Sequence, residues 1–213
     1  MDHQIFNIKP CISADRLVNK VKIAFIGNSI TFPPLPEIGW HNSNGIAATN
    51  KESDYAHRLL RLLNIDEQDA FIGNFAELER QESPSLEIQE TIGKLLSLAP
   101  HIIIIQLGDN VGDDAQLAFF KQNLNWIFQE ARASRITQKM LVLSTWWRSS
   151  SKDLAIKSVA DENGVNFCFI GDIFDSKLNE DRRVKEYHHS GVDNHPRDWA
   201  MNQIAYRIFH YLK

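Results

Sequence analysis

Short β-branched runs alternate with longer amphipathic stretches along the chain, and that alternation sets the expected fold. Val21–Ile26 reads Val-Lys-Ile-Ala-Phe-Ile, a strand stopped by Gly27. Pro33–Asn50 is rich in Pro, Gly, Asn and Ser, the composition of a long loop. Asp54 has the chemistry of an N-cap, and Tyr55, Leu59, Leu60 and Leu63 follow it at helical spacing. Ala70–Phe75 reads as a second strand. Ser85–Leu98 reads as a helix whose apolar face carries Leu86, Ile92, Leu95, Leu96 and Leu98, with Pro100 ending it. In Ile102–Leu107 the isoleucines run consecutively, without alternation, which marks a strand covered on both faces. A helix over about Asp114–Ala133, a strand over Met140–Ser144, a helix over Lys152–Glu162, a strand over Asn166–Ile170 and an amphipathic helix over Arg197–Leu212 complete the series.

Strands alternating with helices specify βαβ units around a parallel sheet, and right-handed crossovers place helices on both of its faces. The expectation is one three-layer α/β/α domain with about five parallel strands. It would span residues 21–213, behind a polar N-terminal extension over 1–20. A chain of 213 residues suffices for one well-buried core but not for two ordinary ones. In such sheets the residues just past the C-terminal strand ends collect at one edge, where ligands bind.

Composition narrows the class. Hydrophobic residues make up 43% and charged residues 23%, a globular profile. A net charge of -4 argues against a nucleic-acid partner, and no Lys/Arg run is long enough for a polybasic membrane patch. No segment approaches the roughly 18 apolar residues needed to span a bilayer. Met1–Lys20 lacks a signal-peptide core, so the chain reads as cytoplasmic, although a periplasmic or secreted protein trimmed of its leader reads the same. Cys11 and Cys168 form no disulfide framework, and Cys168 sits in an apolar run that makes a thiol inert.

Polar clusters stand at the strand ends: Gly27-Asn28-Ser29-Ile30-Thr31, Gly73-Asn74-Phe75-Ala76-Glu77, Gly108-Asp109-Asn110 and Ser144-Thr145-Trp146-Trp147-Arg148. Gly191-Val192-Asp193-Asn194-His195-Pro196 precedes the last helix. Any one of these is ordinary turn chemistry; their joint order is harder to explain that way. Ile26-Gly27-Asn28-Ser29-Ile30-Thr31 resembles the Gly-Asp-Ser block of the SGNH/GDSL hydrolases, Leu107-Gly108-Asp109-Asn110 their Gly-x-Asn block, and Asp193-Asn194-His195-Pro196 their closing Asp-x-x-His-Pro block. Trp40–Tyr55 is similar to a bacterial branch of the same superfamily. The resemblance implies a flavodoxin-like SGNH hydrolase fold, with Ser29 as nucleophile, His195 as base and Asn110 as an oxyanion donor. The Ser29 backbone N–H would be a second oxyanion donor. Two departures stand out. Glu79 occupies the place where the family keeps a glycine, so its backbone N–H is the remaining oxyanion candidate. Val192 occupies the family's acid position, three residues before the histidine, whereas Asp193 lies two before. Either Asp193 completes a triad, or a backbone carbonyl orients the ring in a Ser–His dyad.

These residue types suit acyl transfer. A serine hydroxyl needs a neighbouring base to become nucleophilic. Imidazole titrates near neutrality, and donors stabilise the oxyanion that forms. The implied function is hydrolysis of a carboxylic ester through an acyl-enzyme, with no metal or organic cofactor. The substrate class implied is a small O-acetylated or short-acyl carbohydrate. Trp146 and Trp147 after the fourth strand read first as core residues and, alternatively, as exposed faces that stack on the sugar; Trp40 is a similar stacking candidate, and Arg148 a candidate to meet an anionic substituent. The alternatives are a lysophospholipase or thioesterase, and an SGNH-fold binding protein whose catalysis has decayed. His188 and His189 have no further ligands at metal-binding spacing.

Overall fold

The computed structural model describes residues 21–33, 43–134, 137, 139–176, 192 and 194–213. Five strands, β1 (Ile23–Gly27), β2 (Ala70–Asn74), β3 (Ile102–Gln106), β4 (Lys139–Leu143) and β5 (Asn166–Cys168), form one sheet in the order β2-β1-β3-β4-β5. Every pairing is parallel. The α-helices bounded among the described residues are α1 (Tyr55–Leu63), α2 (Leu86–Ser97), α3 (Asp114–Ala133), α4 (Ser150–Glu162), α5 (Gly171–Asp175) and α6 (Asp198–Leu212).

Alternate strand residues feed two separate cores, because successive side chains of a strand point to opposite faces. Ala24, Ile26, Ile103 and Ile105 pack under α2, α3 and α4 with Ile92, Leu124, Phe128 and Val159. Ile23, Phe25, Ile104 and Leu143 pack under α1, α5 and α6 with Leu59, Ile173, Ile204 and Ile208. The unbroken isoleucine run of β3 thus serves both layers at once. Burying each such side chain contributes about 2 kcal/mol, and an alternating strand would have left one core short.

Local chemistry starts the helices where the sequence suggests. The Asp54 side chain accepts from the His57 backbone N–H at 2.8 Å, and Asp113 from that of Gln116 at 2.8 Å. Ser85 caps α2, which stops at Ser97; Ala99 then takes a left-handed φ of 61° ahead of Pro100. Leu86, expected on the apolar face of α2, is instead 70% exposed. It is the first residue after the cap, and Ile88, Ile92 and Leu95 fill the core below it. β5 is also shorter than expected: Ser144 Oγ accepts from the Ile170 N–H at 2.8 Å, and the chain turns at once into α5.

The strand order reverses between β1 and β3, whose outgoing connections leave in opposite directions, and a crevice opens at such a switch point. Register makes its walls. Gly27 pairs with both Asn74 and Gln106, so β1, β2 and β3 end level, and the segments after them emerge side by side.

Candidate active site

The turn that carries Ser29 is built by Asn28. The Asn28 backbone carbonyl accepts from the N–H groups of Thr31 (3.0 Å) and Phe32 (2.9 Å), and its side-chain Oδ1 accepts from the Ile30 N–H at 3.0 Å. Gly27 admits no side chain here, since a Cβ would meet Thr31 Oγ1 at 1.9 Å. The Thr31 hydroxyl is held in turn by Tyr55 Oη at 2.7 Å and Gln106 Oε1 at 3.3 Å. The turn thereby presents a half-buried Ser29 whose backbone N–H finds no acceptor among the described residues.

Ser29 Oγ lies 2.8 Å from His195 Nε2. The imidazole is buried and meets the Trp147 indole edge-on, with centroids 5.0 Å apart and planes at 88°. The backbone around it is fastened twice. The His195 N–H donates to the Val192 carbonyl at 3.1 Å, and the Trp146 indole N–H to the Asn194 carbonyl at 2.9 Å. Val192 packs with Ile46 and Ala47, and the Ile46 N–H donates to the Ser29 carbonyl at 3.0 Å. Asp54 holds this same loop by accepting from the Gly45 N–H at 3.3 Å. Val192 is therefore an apolar clasp between the segment that carries His195 and the segment that carries Ser29.

Beside Ser29 lie two carboxylates. Glu79, at the end of a 3-10 turn over Ala76–Glu79, is fully buried. Its Oε1 accepts from Asn28 Nδ2 (3.2 Å), Gly108 N (2.5 Å) and Asn110 N (3.2 Å), and its Oε2 from Asn110 Nδ2 (2.5 Å). Asp109 accepts from the Trp146 and Trp147 N–H groups at 2.7 and 3.2 Å, from Gln106 Nε2 at 2.7 Å and from Asn28 Nδ2 at 3.2 Å. Gly108 makes the bend between them with a φ of 120°, a conformation that favours glycine. Burial raises the Glu79 carboxyl above the ordinary range against the pull of its hydrogen bonds. Burial, reinforced by the Glu79 charge, pushes Asp109 up to about 6.

The structure thus brings Ser29, His195, Asn110, Glu79 and Trp147 to one edge. Trp146 takes the core reading and not the substrate-stacking one: it is fully buried, its ring faces Phe174 edge-on at 5.4 Å, and it braces the His195 segment from within. Arg148 is exposed and paired with Asp175 at 2.8 Å. Asp193 and Trp40 lie outside the described residues, as do Cys11, His188, His189 and the 1–20 extension. Cys168 is buried, and its thiol is pushed up to about 12 by that burial. Among the described residues no helix is long and apolar enough to cross a membrane.

Sequence comparison matches no family model and no curated protein. Structural comparison is informative. A family 2 carbohydrate esterase from Clostridium thermocellum, in complex with cellohexaose, superposes with a TM-score of 0.57 at 18% identity over 92% of this chain. A protein described as a GDSL-like lipase, from Bacteroides ovatus, gives 0.55 at 14% identity, covering 90% of this chain and 98% of its own. This chain has the SGNH/GDSL-hydrolase fold. An acetyl xylan esterase from Butyrivibrio proteoclasticus shares it with a TM-score of 0.52, at 14% identity over 92% of this chain. The chain spans 64% of the length of the Clostridium thermocellum esterase. Within the SGNH/GDSL fold, the crevice at the β1/β3 switch point is where Ser29 and Asn110 stand.

Proposed function

We propose that this chain is a serine esterase that cleaves carboxylic esters through an acyl-serine intermediate, its substrate an O-acetylated or short-acyl carbohydrate. The 2.8 Å approach of Ser29 Oγ to His195 Nε2 carries the reading, because it joins an alcohol to a base across most of the chain. In the reactive tautomer Nε2 accepts the Ser29 proton as Oγ attacks the ester carbonyl. The imidazolium then protonates the leaving alcohol, and water repeats the sequence to release the acid. The mechanism calls for a partner on the other ring nitrogen, the role given above to Asp193 in a triad or to a backbone carbonyl in a dyad. The oxyanion would be met by the Ser29 N–H, the Asn110 amide and the Glu79 N–H. Two observations support the carbohydrate. The structural neighbours include an acetyl xylan esterase and an esterase bound to cellohexaose, and Trp147 offers a partly exposed indole next to the base.

The test is labelling with a fluorophosphonate probe, mapped by mass spectrometry, together with hydrolysis of p-nitrophenyl acetate and acetylated xylo-oligosaccharides. The label is expected on Ser29, and Ser29→Ala should lose both label and turnover while its circular dichroism stays unchanged. Equal rates for variant and parent, or a label elsewhere, would remove Ser29 from the mechanism. The apolar burial of Val192 at the family's acid position favours a second reading, a saccharide-binding protein without turnover. An unlabelled parent that still binds oligosaccharide would establish it.

A further inference from the structure

Glu79 stands where the resemblance expects a glycine, and ester hydrolysis as written above uses only its backbone. Its carboxylate nevertheless accepts four hydrogen bonds, as many as Asp109 beside it. Four N–H donors converge on it from Asn28, Gly108 and Asn110, segments that emerge from two different strands. An ionised carboxylate only accepts, and the four partners of this one are all donors, three at Oε1 and one at Oε2. The cage is built for the anion.

The far end of Asn110 is held as well. Arg80 Nη2 donates to Asn110 Oδ1 at 2.9 Å, while Asn110 Nδ2 donates to Glu79 Oε2 at 2.5 Å. A guanidinium can only donate and a carboxylate only accept, so the amide has one permitted orientation and cannot flip. One Nδ2 proton is spent on Glu79, and the second has no acceptor among the described residues. Through Asn28 Nδ2 the same carboxylate also grips the turn that carries Ser29. A glycine at 79 could do none of this.

We propose that Glu79 is a positioning residue of the esterase site: as an anion it fixes the Asn110 amide and the Asn28–Ser29 turn in one register, so that the spare Asn110 proton and the Ser29 N–H keep a constant relation to the ester oxygen. The proposal rests on the serine-esterase reading for its catalytic consequence, and on geometry alone for the tie itself.

Two measurements separate those layers. In the 1H–15N spectrum of the full chain, one side-chain proton of Asn110 is expected downfield of ordinary asparagine amides and should return upfield in Glu79→Gln. Absence of such a proton, or its persistence in the variant, overturns the tie whatever the activity. In kinetics on p-nitrophenyl acetate, Glu79→Gln should lower kcat about 10–100-fold while KM moves less than about threefold, as loss of an oxyanion donor does. Asn110→Ala should fall similarly, and the double variant should be no more than about threefold below Asn110→Ala alone, because residues acting through one another are not additive. Multiplied losses in the double variant would overturn the proposal, since a purely structural Glu79 behaves that way. If Glu79→Gln does not fold, Glu79→Asp, which keeps the charge but shortens the reach, goes through the same cycle under the same criteria. A parent inert towards esters, with the downfield proton present and lost on substitution, would sink the esterase reading and leave the tie standing.

Discussion

Asn28→Asp, which would give the Gly-Asp-Ser sequence of the SGNH/GDSL block, should damage this protein. The Asn28 Nδ2 group donates to Glu79 Oε1 and to Asp109 Oδ2, each at 3.2 Å, so an aspartate would aim an oxygen at two carboxylates. If the introduced carboxyl stayed ionised, Coulomb repulsion at that spacing would be about 5 kcal/mol per contact with an effective dielectric near 20. Protonation is cheaper. Holding a carboxyl of ordinary pKa near 3.9 neutral at pH 7 costs about 4 kcal/mol, at 1.36 kcal/mol per unit. The single O–H then replaces one of two bonds, and losing the other adds about 2 kcal/mol, the value of a hydrogen bond to a charged group. The deficit is therefore about 6 kcal/mol at pH 7 and clearly smaller at pH 5, where the proton costs only about 1.5 kcal/mol and Asp109, pushed up to about 6, can donate in turn. The sign follows from linkage: the introduced carboxyl binds its proton more tightly in the folded chain than in the unfolded one. The variant is therefore best off below about pH 4 and loses stability as pH rises towards the folded-state pKa. Urea denaturation of variant and parent, each at pH 5 and pH 7, measures the difference. Equal deficits at the two pH values, or a variant more stable than the parent, would refute the account of the Asn28 bridge.

The Asp109 carboxyl titrates near 6, above its ordinary 3.8, so its contribution is complete below about 3.8 and lost as pH rises through about 6. Asp109→Asn should accordingly flatten the stability slope between pH 4 and 6 in thermal melts, and an unchanged slope would place that titration elsewhere. Trp146→Phe removes the indole bond to Asn194, expected to cost about 1–2 kcal/mol. It should also lower kcat more than it alters KM, because the base segment loosens; a variant indistinguishable from the parent in both stability and kcat would deny Trp146 that bracing role.

The sheet is readable because its signals are local. Uninterrupted Ile102–Ile105 announces a strand with helices on both sides, and Asp54 ahead of Tyr55, Leu59 and Leu60 announces a capped helix. Ser29 and His195 are legible through short motifs, and the fold supplies only their meeting. What escapes depends on depth. Leu86 lies exposed because helical period says nothing about which end of a helix overhangs the sheet, and the sequence likewise does not say which of two adjacent tryptophans turns inward. The Glu79 carboxylate is easily passed over because a departure from glycine invites a question about backbone freedom. A clue is nonetheless present: one block exchanges its acid for Asn28 while another gains Glu79, and in space the two side chains touch.

Ser29 and His195 are 166 positions apart, and the helix that follows the histidine seats against α1 and the rear of the sheet. Closing a span of that length is entropically costly and is favoured only after intervening elements have condensed. For the proposed esterase, turnover would therefore be a late reporter of folding. A refolding chain should recover its sheet signal first and its chemistry last, and a polypeptide whose final helix has not yet docked should be structured yet inert.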